Sequence, residues 1–468
     1  MSVSESLYAE RVRIHPQRIA GRFRTIKWAV LAALLSIYYL VPWLRWDRGP
    51  NAPDQAVLID MAGRRAYFFW IEIWPQEVYY LAGLLILGAI GLFLVTSVAG
   101  RVWCGFTCPQ TVWTDLYMLV ERWIEGDRNK RMKLDAEPWS VHKLGLKLAK
   151  HGVWLLIALA TGGAWIMYFN DAPTVVHEIF TGQASAAVYG FTGLFTATTY
   201  LLAGWAREQV CIYMCPWPRF QSAMFDEHSL LVTYADWRGE PRGHAKRGTD
   251  FSQRGHCIDC ELCVRVCPTG IDIRNGQQMA CIGCGLCVDA CNSIMDKIGL
   301  PRDLIAYDSL ADQAALARKE KPPSLRLIRP RTIIYASLLL IAGAAMLVSL
   351  AMRSHLDVTV QADRAPLFVK LANGDIQNAY AVKISNKFRE PAQYDIRVAG
   401  IEGSSFRIVG REGEPIIVKG DSVGTFRLLL RAPRTALARR STPIEITVVD
   451  AASKEESGHD AIFSAPVP

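Results

Sequence analysis

Apolar residues in this chain gather into long blocks at residues 25–44, 78–99, 152–169, 188–205 and 332–352. At about 1.5 Å per residue, each block matches the ~30 Å hydrocarbon thickness of a bilayer, so five membrane-spanning helices are predicted. The core of a large soluble protein can mimic one such block, but five make that reading poor. The first block does not read as a cleavable leader, because no small-residue cleavage site follows it. The segment LVPWLRW closes it with aromatics suited to a membrane interface. After residue 353 the texture changes to short runs with frequent alternation, such as LDVTVQA, AYAVKISN, AQYDIRVAG, GTFRLLLRAP and PIEITVVDA, separated by Gly, Pro, Asn and Ser. About seven short strands of this kind predict an all-β, immunoglobulin-like sandwich.

Composition agrees with this segregation. Hydrophobic residues make up 51% of the chain while 21% is charged, so the apolar residues must be concentrated in blocks. The net charge of +8 is unevenly placed. Arg11, Arg13, Arg18, Arg22, Arg24 and Lys27 precede the first block. Arg101, Arg122, Arg128, Lys130, Arg131, Lys133, Lys143, Lys147 and Lys150 lie between the second and third, whereas residues 170–187 contain no Lys or Arg. Basic flanks stay on the cytoplasmic side. The chain is therefore expected to be a multi-pass protein of a bacterial inner membrane, with its N-terminus and residues 207–331 in the cytoplasm and residues 353–468 in the periplasm. These charges face anionic lipid. No basic groove with interleaved aromatics is visible, so nucleic acid is not an expected partner. The expected organisation is a basic arm (1–24), a four-helix membrane domain (25–206), a cytoplasmic segment (207–331), a fifth helix (332–352) and the sandwich (353–468).

The cysteines carry the chemistry. Of twelve, eight form two consecutive strings: Cys257, Cys260, Cys263 and Cys267, then Cys281, Cys284, Cys287 and Cys291. Each string is C-x2-C-x2-C-x3-C, the bacterial ferredoxin pattern in which three thiolates bind one cubane and the fourth serves the neighbouring cluster. The crossed assignment puts Cys257, Cys260, Cys263 and Cys291 on one [4Fe–4S] cluster and Cys281, Cys284, Cys287 and Cys267 on the other. Structural zinc favours two C-x2-C pairs across a longer insert. A disulfide framework would need a small domain in an oxidising compartment. The other four cysteines form two C-x3-C-P motifs, Cys104/Cys108 and Cys211/Cys215, each following a pair of apolar blocks. The membrane part thus reads as a duplicated two-helix unit. Residues i and i+4 share a helix face, and paired soft thiolates suit Cu(I), so these four are candidate metal or redox residues. Should the repeats pack about an axis along the membrane normal, the two motifs would face each other and four sulfurs could converge.

Other chemistry is not signalled. No C-x-x-C-H is present, His142, His151 and His177 form no haem-ligand set, and no G-x-G-x-x-G follows a strand. Electrons are therefore expected from another protein or from quinol. Val112, Leu116, Leu119 and Trp123 have the spacing of an interfacial helix.

With these motifs in hand, the chain resembles the CcoG/FixG/RdxA family of cytochrome oxidase accessory proteins. The resemblance spans nearly the whole chain: the basic HPQRIAGRFRTIKW approach to the first span, both C-x3-C-P motifs, both ligand strings, the last span and the β-rich tail. It implies a cupric reductase, reducing Cu(II) to Cu(I) for assembly of cbb3-type haem–copper oxidases. The eight string cysteines would be cluster ligands, and Cys104, Cys108, Cys211 and Cys215 the copper site. The implied partners are copper-handling proteins, oxidase assembly factors and an unidentified electron donor, with a homodimer left open. Related iron–sulfur membrane proteins of nitrate and nitrous-oxide respiration share the membrane half and the twin strings. They imply the alternative, a respiratory electron-transfer subunit without a metal substrate, but lack the sandwich. The topology is checked by a reporter fused after Asp357, which should be active only if it works in the periplasm.

Overall fold

Five helices are long and apolar enough to cross a membrane among the residues described by the computed structural model, namely 13–49, 52–322, 327–411, 413–437 and 439–466. Arg11 of the basic arm lies outside them. The helices are Arg22–Trp43, Pro75–Ala99, Val141–Met167, Ala186–Ala206 and Pro330–Ala351. Little of their apolar surface is covered by protein. Leu84, Leu85 and Ile86 on the second and Ile334, Leu340 and Ile341 on the fifth are exposed, a distribution that suits hydrocarbon and not water. The chain divides into two compact units: residues up to Arg45 with Gln55–Met346, and Trp46–Asp54 with the residues from Leu347 onward.

In the first unit the third span begins earlier than its hydropathy suggests. Ser140 caps the helix by accepting from the Lys143 N–H at 3.2 Å. Lys143, Lys147 and Lys150 therefore lie on its opening turns and not in a loop. They are accommodated because partners are ready for them: Lys147 and Lys150 reach Glu125 at 2.9 and 3.0 Å, and the Lys143 ammonium donates to the Asp135 and Glu137 carbonyls. A small antiparallel sheet, Val57–Asp60, Arg65–Phe68 and Ile71–Ile73, fills the connection between the first two spans. Strands this short leave almost no periodic trace in a sequence.

The helix Pro109–Ile124 carries the Val112–Trp123 stripe, yet its inward face also holds Asp115 and Glu121, both 1% exposed, while Trp123 is 81% exposed. The carboxylates are inside because cations are already there. Arg24 and Lys27 of the first span each approach Asp115 at 3.0 Å. Arg131 and Arg207 approach Glu121 at 2.6 and 2.5 Å. Burial would raise the Glu121 pKa, but the Arg207 and Arg131 guanidiniums and the Lys150 ammonium outweigh it and hold the carboxyl at about 2. Lone buried charges are costly, whereas a compensated cluster locks the elements that contribute to it. Here it joins the helix after the first cysteine motif to the residue that ends the fourth span.

The rest of the first unit is the ferredoxin-like segment. A two-stranded antiparallel sheet, Leu231–Tyr234 with Ile305–Asp308, brackets it, and the helices Leu262–Arg265 and Leu286–Ile298 run out of the two ligand strings.

The second unit is a sandwich of antiparallel sheets. One has the order Ser405–Ile408, Ser422–Ala432, Ile376–Asn386, Leu356–Ala362, with Val369–Lys370 also paired to Ile376–Asn386. The other has the order Ile416–Val418, Ala392–Ala399, Ser441–Asp450, Glu456–Ser464. Period-2 positions supply the core, including Val358, Val360, Tyr380, Val382, Ile384, Leu428, Leu430, Ile446, Val448 and Phe463. Nine strands of this unit lie among the described residues, against about seven expected. The extra ones include Val369–Lys370 and Ser405–Ile408, short edge pieces with almost no buried residue.

Replacing Glu121 by Gln leaves Arg131 and Arg207 buried without their counter-charge. The expected destabilisation is about 3–5 kcal/mol, measured as a lower thermal midpoint of the detergent-solubilised protein at pH 7. Because this carboxyl is held below its unfolded pKa, its stabilisation is complete above that value. It fades only as pH falls from there through about 2, so parent and variant should converge only in strong acid.

Candidate iron–sulfur and thiol site

The two ligand strings fold into the same loop. Asp259 and Glu261 in the first have φ of 51° and 54°, and Gly283 and Gly285 at the matching places in the second have 65° and 70°. These left-handed residues turn the chain around its cysteines. The residue types differ because the surroundings differ. Glu261 is exposed, whereas a Cβ on Gly285 would lie 2.6 Å from the Phe23 ring and one on Gly283 would lie 3.1 Å from the Arg101 Cβ. Glycine in the second string thus marks the loop that is docked against the membrane helices.

The loops surround two small cavities. One is lined by Cys257, Cys260, Cys263 and Cys291, the other by Cys281, Cys284, Cys287 and Cys267, with Cys263 between them. These are the two crossed sets, and their donor chemistry fits two [4Fe–4S] clusters. No group of three or more Cys, His, Asp or Glu among the described residues is drawn tightly enough around one point to hold a single metal ion. Burial pushes the thiols of Cys263, Cys284 and Cys291 up to about 12 and raises that of Cys287 well above its ordinary value. Such groups ionise only when a cation arrives with them, which couples ligand deprotonation to cluster loading.

The C-x3-C-P motifs are not α-helical. Trp103–Thr107 and Val210–Met214 are π-turns, closed by Cys108 N–H to Trp103 C=O at 2.9 Å and Cys215 N–H to Val210 C=O at 2.8 Å. Proline then starts a new helix after each, Pro109–Ile124 and Trp217–Met224. Each π-turn is preceded by a residue at positive φ, Gly100 at 59° and Arg207 at 43°. The offset from Gly100 to Arg207 equals that from Cys104 to Cys211, so the duplication extends to the backbone. The expected α-helical i, i+4 face is replaced by a wider turn, a geometry frequent at functional sites.

Cys104 and Cys211 both pack against one buried cluster, made of Val266, Ile282, Cys284, Leu286 and Ala290. Burial, followed by the nearby Cys108 sulfur, pushes Cys104 up to about 12 and Cys211 up to about 11. Cys215 is exposed. The four sulfurs share a neighbourhood but are not closed on one centre.

Residues that no motif singles out connect these parts. Arg101 donates to the Cys281 carbonyl at 2.6 Å, to the Met279 carbonyl, and to the Pro218 carbonyl at 2.9 Å, so one guanidinium ties the second string to both repeats. A Cβ on Gly105 would lie 2.7 Å from the Gly283 carbonyl oxygen, so the first π-turn and the second ligand loop meet backbone to backbone. The Cys104 thiol donates to Gln221 Oε1 at 3.2 Å, and Gln110 donates to the carbonyls of Leu202 and Arg207 at 2.8 and 3.1 Å. Asp289, inside the second string, accepts from the Phe23 and Arg24 N–H groups at the start of the first span. For Arg101 the basic position beside Cys104 was a signal. For Gln110, Gln221 and Asp289 there was none, since each acts across a large sequence separation.

Comparison with known proteins places these features in a family. The chain is 49% identical to Protein RdxB of Cereibacter sphaeroides over 98% of each chain. It is 46% identical to the nitrogen fixation protein FixG of Rhizobium meliloti over 98% of this chain and 94% of that one. The chain belongs to the FixG/RdxA family. Protein RdxA of Cereibacter sphaeroides is 50% identical over 92% of each. Within the FixG/RdxA chain, residues 206–310 match a 4Fe-4S dicluster domain, residues 81–131 a 4Fe-4S binding domain, and residues 346–466 the Ig-like fold at the C-terminal of FixG. The second match spans Cys104 and Cys108, and the dicluster match spans Cys211 and Cys215 together with all eight string cysteines.

Cys267 lies in the first string but lines the second cavity. Cys267→Ser should therefore remove the cluster bound by Cys281, Cys284 and Cys287, lowering iron from about eight to about four per chain. Loss of the Cys257 cluster instead would contradict the crossed arrangement.

Proposed function

We propose that this FixG/RdxA protein is a membrane-bound iron–sulfur oxidoreductase that reduces Cu(II) to Cu(I) for assembly of a cbb3-type haem–copper oxidase. In this reading Cys257, Cys260, Cys263 and Cys291 hold one [4Fe–4S] cluster, and Cys281, Cys284, Cys287 and Cys267 the other. Bound clusters would supply electrons singly. Cys104, Cys108, Cys211 and Cys215 receive copper as substrate, and one electron added to Cu(II) makes Cu(I), with no proton required. The observation that carries the reading is the backbone contact of Gly105 with Gly283, which sets a pair of soft thiols directly against a cluster loop. Arg101, held on the Cys281 carbonyl, carries a positive charge that favours the Cys104 thiolate. Thiolate ligation favours the cuprous product, and loss of the thiol protons accompanies metal binding.

The basic flanks support an inner-membrane placement with the cluster segment in the cytoplasm and the sandwich in the periplasm. There the sandwich would meet oxidase assembly factors. Copper-handling proteins and an electron donor complete the cycle, and a homodimer is compatible with it.

Stopped-flow reduction of Cu(II) by the reduced protein, under anaerobic conditions, tests the assignment. Changing Cys104 and Cys108 together to Ser should keep iron content intact while impairing Cu(II) reduction and Cu(I) retention. Adding Cys211→Ser and Cys215→Ser should abolish both. Parent rates in the quadruple variant would remove copper from these residues and leave the electron-relay reading.

A further inference from the structure

The two-stranded sheet that brackets the ferredoxin-like segment carries two tyrosines, one beside each cavity. Tyr234 lies on Leu231–Tyr234 and lines the first cavity, close to Cys257. Tyr307 lies on Ile305–Asp308, opposite Val232, which lines the second. Their hydroxyls are treated differently. Tyr234 donates to Glu240 Oε1 at 3.0 Å. The Tyr307 hydroxyl oxygen is sealed from solvent and makes no hydrogen bond, and Tyr307 packs against the same buried cluster as Cys281 and Cys287.

The Tyr307 ring is held in place. Phe23 packs on it in a tilted arrangement, 5.1 Å between centroids, and Phe23 is itself pressed on Gly285 and fixed through its N–H to Asp289. Among the described residues of this unit, no other tyrosine hydroxyl is buried without a partner. If packing were the only role, phenylalanine would fill the position without stranding a polar group, since a buried hydroxyl with nothing to bond is destabilising. Directly paired residues share a sheet face, so Tyr307 projects to the side of Val232, which lines the second cavity, and the cysteines of that cavity act electrostatically on its hydroxyl; their sulfurs become strong acceptors once they carry cluster charge.

We propose that Tyr307 is a positioning residue for electron transfer: it donates its hydroxyl hydrogen bond to a sulfur of the cluster held by Cys281, Cys284, Cys287 and Cys267, and raises that cluster's reduction potential relative to its neighbour. A hydrogen bond to cluster sulfur stabilises the more negative, reduced state. Tyr234 does this less well for the other cluster because the Glu240 carboxylate competes for its proton. The pair of tyrosines therefore ranks the two centres, making the one beside Gly105 and Cys104 the better electron acceptor. This rests on the cluster assignment above and is independent of copper.

The test is a redox titration of the full-length protein in detergent under anaerobic conditions, followed by electron paramagnetic resonance, with iron and sulfide measured on each sample. Tyr307→Phe should move the midpoint of one cluster to a more negative potential and leave the other in place. Tyr234→Phe should produce a smaller shift, confined to the other cluster. Tyr307→3,5-difluorotyrosine, a stronger donor of nearly the same size, should move the same midpoint in the opposite direction. Unchanged midpoints in Tyr307→Phe at full iron content would overturn the proposal, and so would shifts of the same sign in both Tyr307 variants. Should the phenylalanine variant lose iron, the difluorotyrosine variant decides, and an unchanged midpoint there overturns it. A parent protein without iron would sink the cluster assignment, and the role of Tyr307 with it.

Discussion

The backbone of the first cysteine turn lies against the backbone of the second ligand loop, and that contact exists only because neither chain has a side chain in the way. Gly105 and Gly283 meet where a single added methyl would overlap main-chain atoms. A close main-chain approach cannot be relieved by a rotamer change, so the two loops hold one register. Arg101, at the start of the first turn, secures that register by binding the Cys281 carbonyl of the ligand loop and reaches the second repeat through the Pro218 carbonyl. Asp289 secures it from a second direction, satisfying N–H groups at the start of the first span that would otherwise lack partners. Consequently the ferredoxin-like segment is part of the membrane unit and not a tethered module. In the proposed function, that arrangement keeps copper held by the thiols beside the cluster that would reduce it.

Buried charge does comparable work on the other side of the thiols. Asp115 and Glu121 are carried inward on one helix and met by cations from the first span, from the short helix Arg128–Ala136 and from Arg207. Each ion is costly to bury alone, so the set is stable only when all elements are in place. Arg207 adopts the positive φ that Gly100 adopts in the first repeat. Its guanidinium is held by Glu121 and by the Gly204 carbonyl at 2.8 Å, which offsets a backbone conformation that glycine would take freely. One copy of the duplicated turn thus uses glycine, and the other an anchored arginine.

The sandwich follows a simpler logic. It contains no cysteine, and its cohesion comes from alternate residues of long central strands meeting across the two sheets. Its short edge strands gain little from burial and owe their place to pairing with those central strands.

The sequence by itself determined the five apolar helices, the long strands of the sandwich, the ligand strings and the pairing of the remaining cysteines. Each of these is written locally, as block length, period-2 alternation or cysteine spacing, and local patterns survive without knowledge of what lies across from them. The division of the string cysteines between the two cavities was legible there too, because a tight loop turns three sulfurs to one side and leaves the fourth for the neighbouring set. Only the tertiary structure decided that the C-x3-C pairs sit on π-turns, that Lys143, Lys147 and Lys150 belong to a helix, and that the polar face of Pro109–Ile124 points inward. Those outcomes depend on Glu125, Glu121, Asp115 and the cations that reach them from distant parts of the chain. The roles of Gly105, Asp289 and Tyr307 are of the same kind. Each is set by an atom far away in sequence, so no pattern along the chain records it.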